Sequence, residues 1–160
     1  MTKLFVPESF KVPHLLDTDH FHLEMLTPAV AEMDFKAVMS NRVRLRSVFD
    51  EKTNWPEDTM SLSDNIKDIK RHHDEFLSRK AFAYTILKPT KDKCIGCLYI
   101  DPCKVDEVDC EVFLWIIDDC LNLDNEIYQF ISDWLIHCWP FKKIVFPGWD
   151  ITWKKWKSLM

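Results

Sequence analysis

Two cysteines three positions apart are the first residues of this chain whose type and spacing could do chemistry. Cys94 and Cys97 form a CxxC motif, the spacing of dithiol redox sites and of many zinc sites. The motif lies in the alternating stretch 93–100, which predicts a β-strand, and positions i and i+3 of a strand point to opposite faces. No second CxxC and no HxxxH pair follows. We therefore expect reduced cysteines, no thioredoxin-like chemistry and no structural metal.

The glycine content excludes the common nucleotide-binding loops. Only two of the 160 residues are glycine, Gly96 and Gly148, so neither a GxGxxG nor a GxxxxGK(S/T) motif occurs in the sequence. The formal net charge of −5 argues against nucleic acid as a partner. Residues 1–20 contain two prolines and no long apolar core, and no apolar run approaches membrane-spanning length. These features predict a soluble, cytoplasmic protein without nucleic-acid or membrane partners.

The hydrophobic pattern predicts one domain over residues 1–160 with the element order β, α, α, β, β, β, α, β. A strand at 21–26 leads into a helix at Thr27-Pro28, and a second helix begins near Ser61 or Ser63. Strands 82–87 and 94–100 form an antiparallel hairpin, and strand 110–117, helix 127–138 and strand 142–147 form a parallel crossover unit. We expect an extended arm at 1–20 and a Trp-rich arm at 149–160, which either packs on the domain or forms a homodimer contact.

This order resembles that of the GNAT superfamily of acetyl-CoA-dependent N-acetyltransferases. The resemblance covers about residues 20–150. The short segments that carry it are residues 26–29, 55–56, 61–65, 82–87, 94–100 and 139–141. It implies an α+β (α/β GNAT-like) fold with a central mixed, mostly antiparallel sheet, helices on both faces and one splayed parallel strand pair. It also implies acetyl-CoA as cofactor and an amine, on a small molecule or a peptide, as the acceptor.

In the superfamily, acetyl-CoA binds where the parallel strands splay, and a Q/R-x-x-G-x-G/A loop holds the pyrophosphate at the start of the next helix. The corresponding residues here are Trp115, Ile116, Ile117, Leu121, Asn122 and Leu123. The loop lacks glycine and arginine and carries Asp118, Asp119 and Asp124, so it should repel a pyrophosphate. The alternative is that these carboxylates cap the following helix, with Asp124 at the N-cap.

The resemblance also suggests catalytic groups and a substrate wall. Candidates for the base that takes a proton from the attacking amine are His72, Tyr84 and Glu111, and Trp55 is expected beside the amine. His72 lies among charged helix residues, which favours a solvated face over a catalytic role. Two functions stay open: an acyltransferase that acetylates an amine, and a catalytically inactive GNAT-fold binding or interaction module.

Overall fold

Six strands form one sheet in this computed structural model, which describes residues 3–160. In chain order and in sheet order they are β1 (Leu15–Asp17), β2 (His22–Met25), β3 (Phe82–Leu87), β4 (Cys94–Pro102), β5 (Cys110–Ile116) and β6 (Ile144–Val145). Neighbouring strands are antiparallel except β5 and β6, which are parallel. The predicted mixed, mostly antiparallel sheet is confirmed, and β1 adds an edge strand from the segment predicted as an extended arm.

Within the described residues five α-helices accompany the sheet, and two begin where the sequence predicts. They are α1 (Ala31–Ser40), α2 (Arg42–Leu45), α3 (Leu62–Leu77), α4 (Asp124–Cys138) and α5 (Trp153–Ser158). A 3-10 turn, Pro28–Val30, precedes α1, and the Thr27 side chain accepts the Ala29 N–H there. The Ser61 hydroxyl accepts the Asp64 N–H and the Asp64 carboxylate accepts the Ser61 N–H, so a capping box starts α3.

The helices α3 and α4 pack on opposite faces of the sheet. Tyr84 pairs with Leu98, so the side chain of the next residue, Tyr99, points to the other face. The Trp134 ring of α4 lies 5.7 Å from the Tyr84 ring, and the His72 ring of α3 lies 5.3 Å from the Tyr99 ring, measured between centroids. The sheet is therefore covered on both faces, as predicted, and the core lies on either side of β3, β4 and β5.

The last strand is shorter than the predicted stretch 142–147. The Asp109 carboxylate accepts the backbone N–H groups of Lys142 and Lys143, and the Asp150 carboxylate accepts that of Phe146. Side chains thus take the donors that a longer ladder would use. β5 and β6 pair only from Cys110 to Glu111. Continuing this register would place Phe146 beside Val112, where the Phe146 N–H is already bonded to Asp150, and the next residue, Pro147, has no N–H to donate.

The CxxC motif lies in a strand as predicted, but its two side chains do not point to opposite faces. The register of β3 against β4 shifts between Ile86 and Leu87. Thr85 pairs directly with Cys97, and its hydroxyl lies 3.6 Å from the Cys94 sulfur, so both thiols are on one face. Burial raises the pKa of Cys94 to about 12 and that of Cys97 above its ordinary value. Protonated, buried thiols are poor nucleophiles, which argues against redox exchange.

The Trp-rich segment 149–160 packs on the domain. Trp156 is 1% exposed and contacts Val108 and Val145, and the Trp153 ring stacks on Phe113 at 6.4 Å between centroids. This is the first of the two predicted roles, and the homodimer contact stays a prediction. No helix within residues 3–160 combines the length and the apolar character needed to cross a membrane.

Candidate functional site

A cavity of about 330 Å³ lies between β4 and the helices α1 and α3. Its polar wall carries three carboxylates, Asp34, Asp68 and Asp101, and one cation, Arg71, whose guanidinium also bonds to Glu75. Its apolar wall includes Trp55 and Tyr99. The volume is at the lower end of the range for small-ligand pockets. Carboxylates beside aromatic rings attract a cation through charge and through the ring quadrupole.

Asp34 is the most deeply buried acid of this cavity. It lies one turn from Val30 and from Val38 on the inward side of α1 and is 4% exposed. Burial raises the pKa of Asp34 to about 6, although the hydrogen bond from Asn65 acts in the opposite direction. Part of its population is therefore protonated near neutral pH, and a bound cation would favour the carboxylate.

Asp101 is a second cavity acid whose pKa is raised towards neutral pH. Burial raises the pKa of Asp101 to about 7, and the negative charges of Glu111 and Glu75 act in the same direction. Glu111 pairs with Asp101 across β4 and β5, so both side chains share a sheet face. Burial also raises the pKa of Glu111. A carboxylate with a pKa near 7 is suited to act as a general base at that pH.

His72 does not lie on a solvated face, contrary to the sequence-based expectation. Its ring is half-buried against Tyr99 and lines the cavity. Burial, with the nearby Arg71 charge, lowers the pKa of His72 to about 4. The imidazole is thus neutral at pH 7 and adds no positive charge to the cavity.

The other predicted residues around the amine are separated by the sheet. Trp55 lines the cavity, next to His72. Tyr84 lies on the opposite face and is buried, and its hydroxyl donates to the Pro13 carbonyl at 2.6 Å. Burial raises the pKa of Tyr84. Because Tyr84 does not line the cavity, the structure brings His72, Trp55 and the Asp101–Glu111 pair together and leaves Tyr84 out.

The end of β5 has an edge that no strand within residues 3–160 covers. The Ile117 N–H donates to the Ile95 carbonyl on β4, so the backbone groups of Ile116 and Asp118 point the other way. The parallel ladder with β6 ended at Glu111, so this edge lies outside it. The neighbouring Trp115 side chain is buried, and its Nε1 donates to the Tyr99 hydroxyl at 3.1 Å.

Two polar side chains from the α1–α2 junction already bond to this edge. The Arg44 guanidinium donates to the Ile116 carbonyl, and its Nε lies 2.5 Å from Oδ1 of Asp118. Oδ1 of Asn41 accepts the Asp118 N–H at 2.9 Å, while Nδ2 of Asn41 donates to the Ala37 carbonyl. Both contacts join α2 and the end of α1 to the residues that follow β5.

The loop after β5 is less repulsive to anions than its own sequence indicates. A 3-10 turn, Asp118–Leu123, holds the predicted residues Leu121, Asn122 and Leu123 and leads directly into α4. Arg44 on α2 pairs with Asp118, and Nζ of Lys93, just before β4, lies 3.9 Å from Oδ2 of Asp119. The cations that the loop itself lacks are therefore supplied from outside it. Asp124 does not cap α4, because it is already the first helical residue and its N–H bonds to Leu121.

The free edge of β5 fits an extended arm that carries amide groups. Beyond Glu111 the outer edge of β5 presents backbone N–H and C=O groups at the spacing that a neighbouring strand would use. An extended chain can bind such an edge through the same hydrogen bonds. The Ile116 carbonyl is one of the acceptors on this edge. Among residues 3–160, no group of three His, Cys, Asp or Glu side chains could hold a metal ion.

Comparisons with solved structures identify this architecture. A ribosomal-protein-alanine acetyltransferase from Vibrio fischeri superposes with a TM-score of 0.60 at 11% identity, over 76% of this chain and 67% of that one. The fold is that of the GNAT acetyltransferases. RimL, a ribosomal alpha-N-protein acetyltransferase, gives 0.59 at 13% identity over 81% and 68% of the two chains. No family model and no curated protein matches the sequence.

A third structure of this fold contains the cofactor. The microcin self-immunity acetyltransferase MccE, in complex with acetyl-CoA and AMP, superposes with a TM-score of 0.57 at 16% identity, over 73% of this chain and 63% of that one. The chain spans about two thirds of the length of these proteins. At these identities the comparison establishes the GNAT fold, and the activity of this chain is a matter for proposal.

Sequence reasoning missed several residues of the site, among them Asp34, Asp101 and Arg44. Asp34 carries a detectable signal, because it is a charged residue at helical spacing from Val30 and Val38 on an apolar stripe. Asp101 directly follows the apolar run of β4, at its transition to a loop. Arg44 gives no local signal, since its contact with Ile116 joins residues 72 positions apart.

Proposed function

We propose that this protein is a GNAT-type N-acetyltransferase whose acceptor is an amine held in the cavity beside β4. The observation that supports this is the position of Asp101, a cavity carboxylate with a pKa of about 7, one strand away from the free edge of β5. Asp101 pairs with Glu111, the last β5 residue of the parallel ladder, so the base lies beside the point where the free edge begins, and Ile116 lies further along that edge, opposite Gly96. The acceptor enters as an ammonium ion, which the cavity carboxylates attract.

Each residue has a definite task in this proposal. When bound, acetyl-CoA supplies the acetyl group as a thioester. Asp101 would accept a proton from the ammonium and leave a neutral, nucleophilic amine. The nitrogen would form the new amide bond to the acetyl carbon as the thioester C–S bond breaks, and the second nitrogen proton would go to the departing thiolate, giving the acetylated amine and the CoA thiol. Asp34 and Asp68 neutralise the positive charge of the acceptor before this transfer, and Trp55 and Tyr99 contact its apolar part. Glu111 raises the proton affinity of Asp101 through its negative charge.

The direct test is turnover with acetyl-CoA and a panel of amines, followed through release of the CoA thiol. We expect at least one amine to give turnover that falls about a hundredfold or more in Asp101→Asn, the usual scale for loss of a general base. The matched control is Asp106→Asn, an exposed carboxylate in the loop after β4. Absence of turnover with every amine, together with absence of acetyl-CoA binding in calorimetry, would exclude the proposal.

A binding module without turnover is the second candidate, and one observation favours it. Arg44 and Asn41 already bond to the β5 edge, and the loop before α4 keeps its acidic, glycine-free sequence. In that case an organic cation binds in the cavity while acetyl-CoA does not bind. Calorimetric titrations with the amine panel and with acetyl-CoA separate the two functions.

A further inference from the structure

The strongest unassigned feature of this molecule is the Arg44 side chain on the edge of β5. Arg44 belongs to the short helix α2, yet its guanidinium crosses to the far end of β5 and donates to the Ile116 carbonyl. This carbonyl is an acceptor that the sheet itself leaves free. An N–H of an extended amide arm would need the same acceptor. A carbonyl oxygen has two lone pairs, but an arm paired along this edge must run past Ile116 and Asp118, both of which the guanidinium contacts, so the arm and Arg44 compete for the same space beside the oxygen.

We propose that Arg44 is a displaceable occupant of the donor-binding edge and controls access to it. This inference rests on the proposed function, because the competing ligand is the pantetheine arm of the acetyl donor. In the closed state Arg44 bonds to Ile116 and Asp118. In the open state it leaves Ile116, and an amide N–H of the arm takes its place on the carbonyl.

The surroundings of Arg44 allow such an exchange. Its side chain is 39% exposed, so the guanidinium can move into water without crossing the core. Its partner Asp118 is 58% exposed, so the ion pair can separate and be solvated. Asn41 differs, because it is 9% exposed and its amide group bonds at both ends, to Ala37 and to Asp118. Asn41 therefore holds the loop in place while Arg44 moves.

The exchange has an energetic consequence for ligand affinity. Every ligand that needs the Ile116 carbonyl must first break the contact with Arg44, so its observed affinity is its intrinsic affinity multiplied by the fraction of open molecules. A hydrogen bond from a charged donor corresponds to about tenfold or more in an equilibrium constant. Removal of the guanidinium should therefore tighten binding of an amide arm by about tenfold.

The test uses pantetheine, which carries the amide groups without phosphates, so a lost cation cannot weaken binding through phosphate contacts. Calorimetry should show about tenfold tighter binding of pantetheine to Arg44→Ala than to the native protein. Asp118→Asn, which keeps Arg44 but removes the charge that holds it, should shift affinity less and in the same direction. Arg42→Ala is the matched control, because this exposed neighbour bonds to Asp58 and Met39 and not to the edge.

A second measurement follows Arg44 itself. In nitrogen-15 spectra of the native protein, the Arg44 side-chain signal, identified by its loss in Arg44→Lys, should move towards that of a solvated arginine when pantetheine is added. Equal pantetheine affinity of Arg44→Ala and the native protein, or an Arg44 signal that does not move at saturation, overturns the exchange. If the native protein still binds acetyl-CoA in that case, the proposed acetyltransferase function is unaffected. Failure of every variant to bind pantetheine and acetyl-CoA overturns the exchange and the proposed acetyltransferase together.

Discussion

Nδ2 of Asn65 on α3 donates a hydrogen bond to Oδ2 of Asp34 on α1 at 2.8 Å, and both side chains are buried. This contact joins the two helices that form one wall of the cavity. It places a potential negative charge in a region of low polarity with one neutral donor as its partner. Burial therefore dominates, and the pKa of Asp34 rises to about 6.

Asp34→Asn should change the pH dependence of stability. The folded pKa of about 6 lies above the ordinary value of 3.8, so the folded protein binds the proton more tightly than the unfolded chain. The contribution of Asp34 is thus fully present below pH 4 and is lost as the pH rises through about 6. The asparagine variant does not ionise, so its free energy of unfolding relative to native should rise by up to about 3 kcal/mol from pH 4 to 7.

Urea unfolding at several pH values measures this difference. Glu32→Gln is the control, since this residue lies on the same helix and is exposed. A constant difference between Asp34→Asn and the native protein from pH 4 to 7 would show that Asp34 is ionised throughout the range in the folded state.

The rate of acetyl transfer should report Asp101. If Asp101 takes the proton, kcat/KM rises with pH and is half-maximal near pH 7, because the carboxylate form is active and the pKa of Asp101 is about 7. Asp101→Asn should lower the rate and remove this inflection. His72→Gln should leave the inflection in place, since the pKa of His72 is about 4. An inflection near pH 7 that persists in Asp101→Asn would assign the titration to another group.

The parts of the fold that could be predicted from sequence are those with local causes. Thr27 and Pro28 predict the start of α1, the β3–β4 hairpin follows from alternation, and α4 follows from its apolar spacing. The site residues depend on long-range contacts instead. Arg44 meets Ile116 only after α2 and β5 are in place, and His72 becomes half-buried through tertiary contacts such as that with the Tyr99 ring on β4.

Register and hydrogen-bond competition account for the wrong predictions. Alternation alone cannot reveal the shift at Ile86–Leu87, and that shift brings Cys94 to the face of Cys97. The predicted strand 142–147 has suitable residues, but the Asp109 and Asp150 carboxylates take its backbone donors. Asp124 has a typical N-cap side chain, yet the 3-10 turn before α4 places it inside the helix.

Ser61→Ala should destabilise the protein by about 1 kcal/mol, the usual cost of losing an N-cap side chain. Its hydroxyl accepts the Asp64 N–H at 3.1 Å, and no other group replaces it at the start of α3. Ser63→Ala is the matched control, because Ser63 lies inside the helix and is exposed. Thermal or urea unfolding of both variants measures the effect. An equal effect of the two substitutions would mean that α3 does not begin at Ser61 in solution.

The last prediction concerns thiol reactivity and tests the conclusion about the CxxC motif. Cys94, Cys97 and Cys110 are 1% exposed or less, and burial raises the pKa of each thiol, whereas Cys138 is exposed. Because the thiolate is the reactive form, an aromatic disulfide reagent at pH 7.5 should modify Cys138 quickly and leave the three buried thiols unmodified while the protein is folded. Mass spectrometry of the labelled protein identifies the sites.

Two controls complete this experiment. Cys138→Ser should remove the fast reaction, and unfolding in guanidinium chloride should make all six cysteines reactive. Rapid labelling of Cys94 or Cys97 in the folded native protein, at a rate close to that of Cys138, would mean that the end of β4 opens readily. The CxxC pair would then be accessible to exchange with other thiols, and the conclusion that its cysteines only fill the core would be wrong.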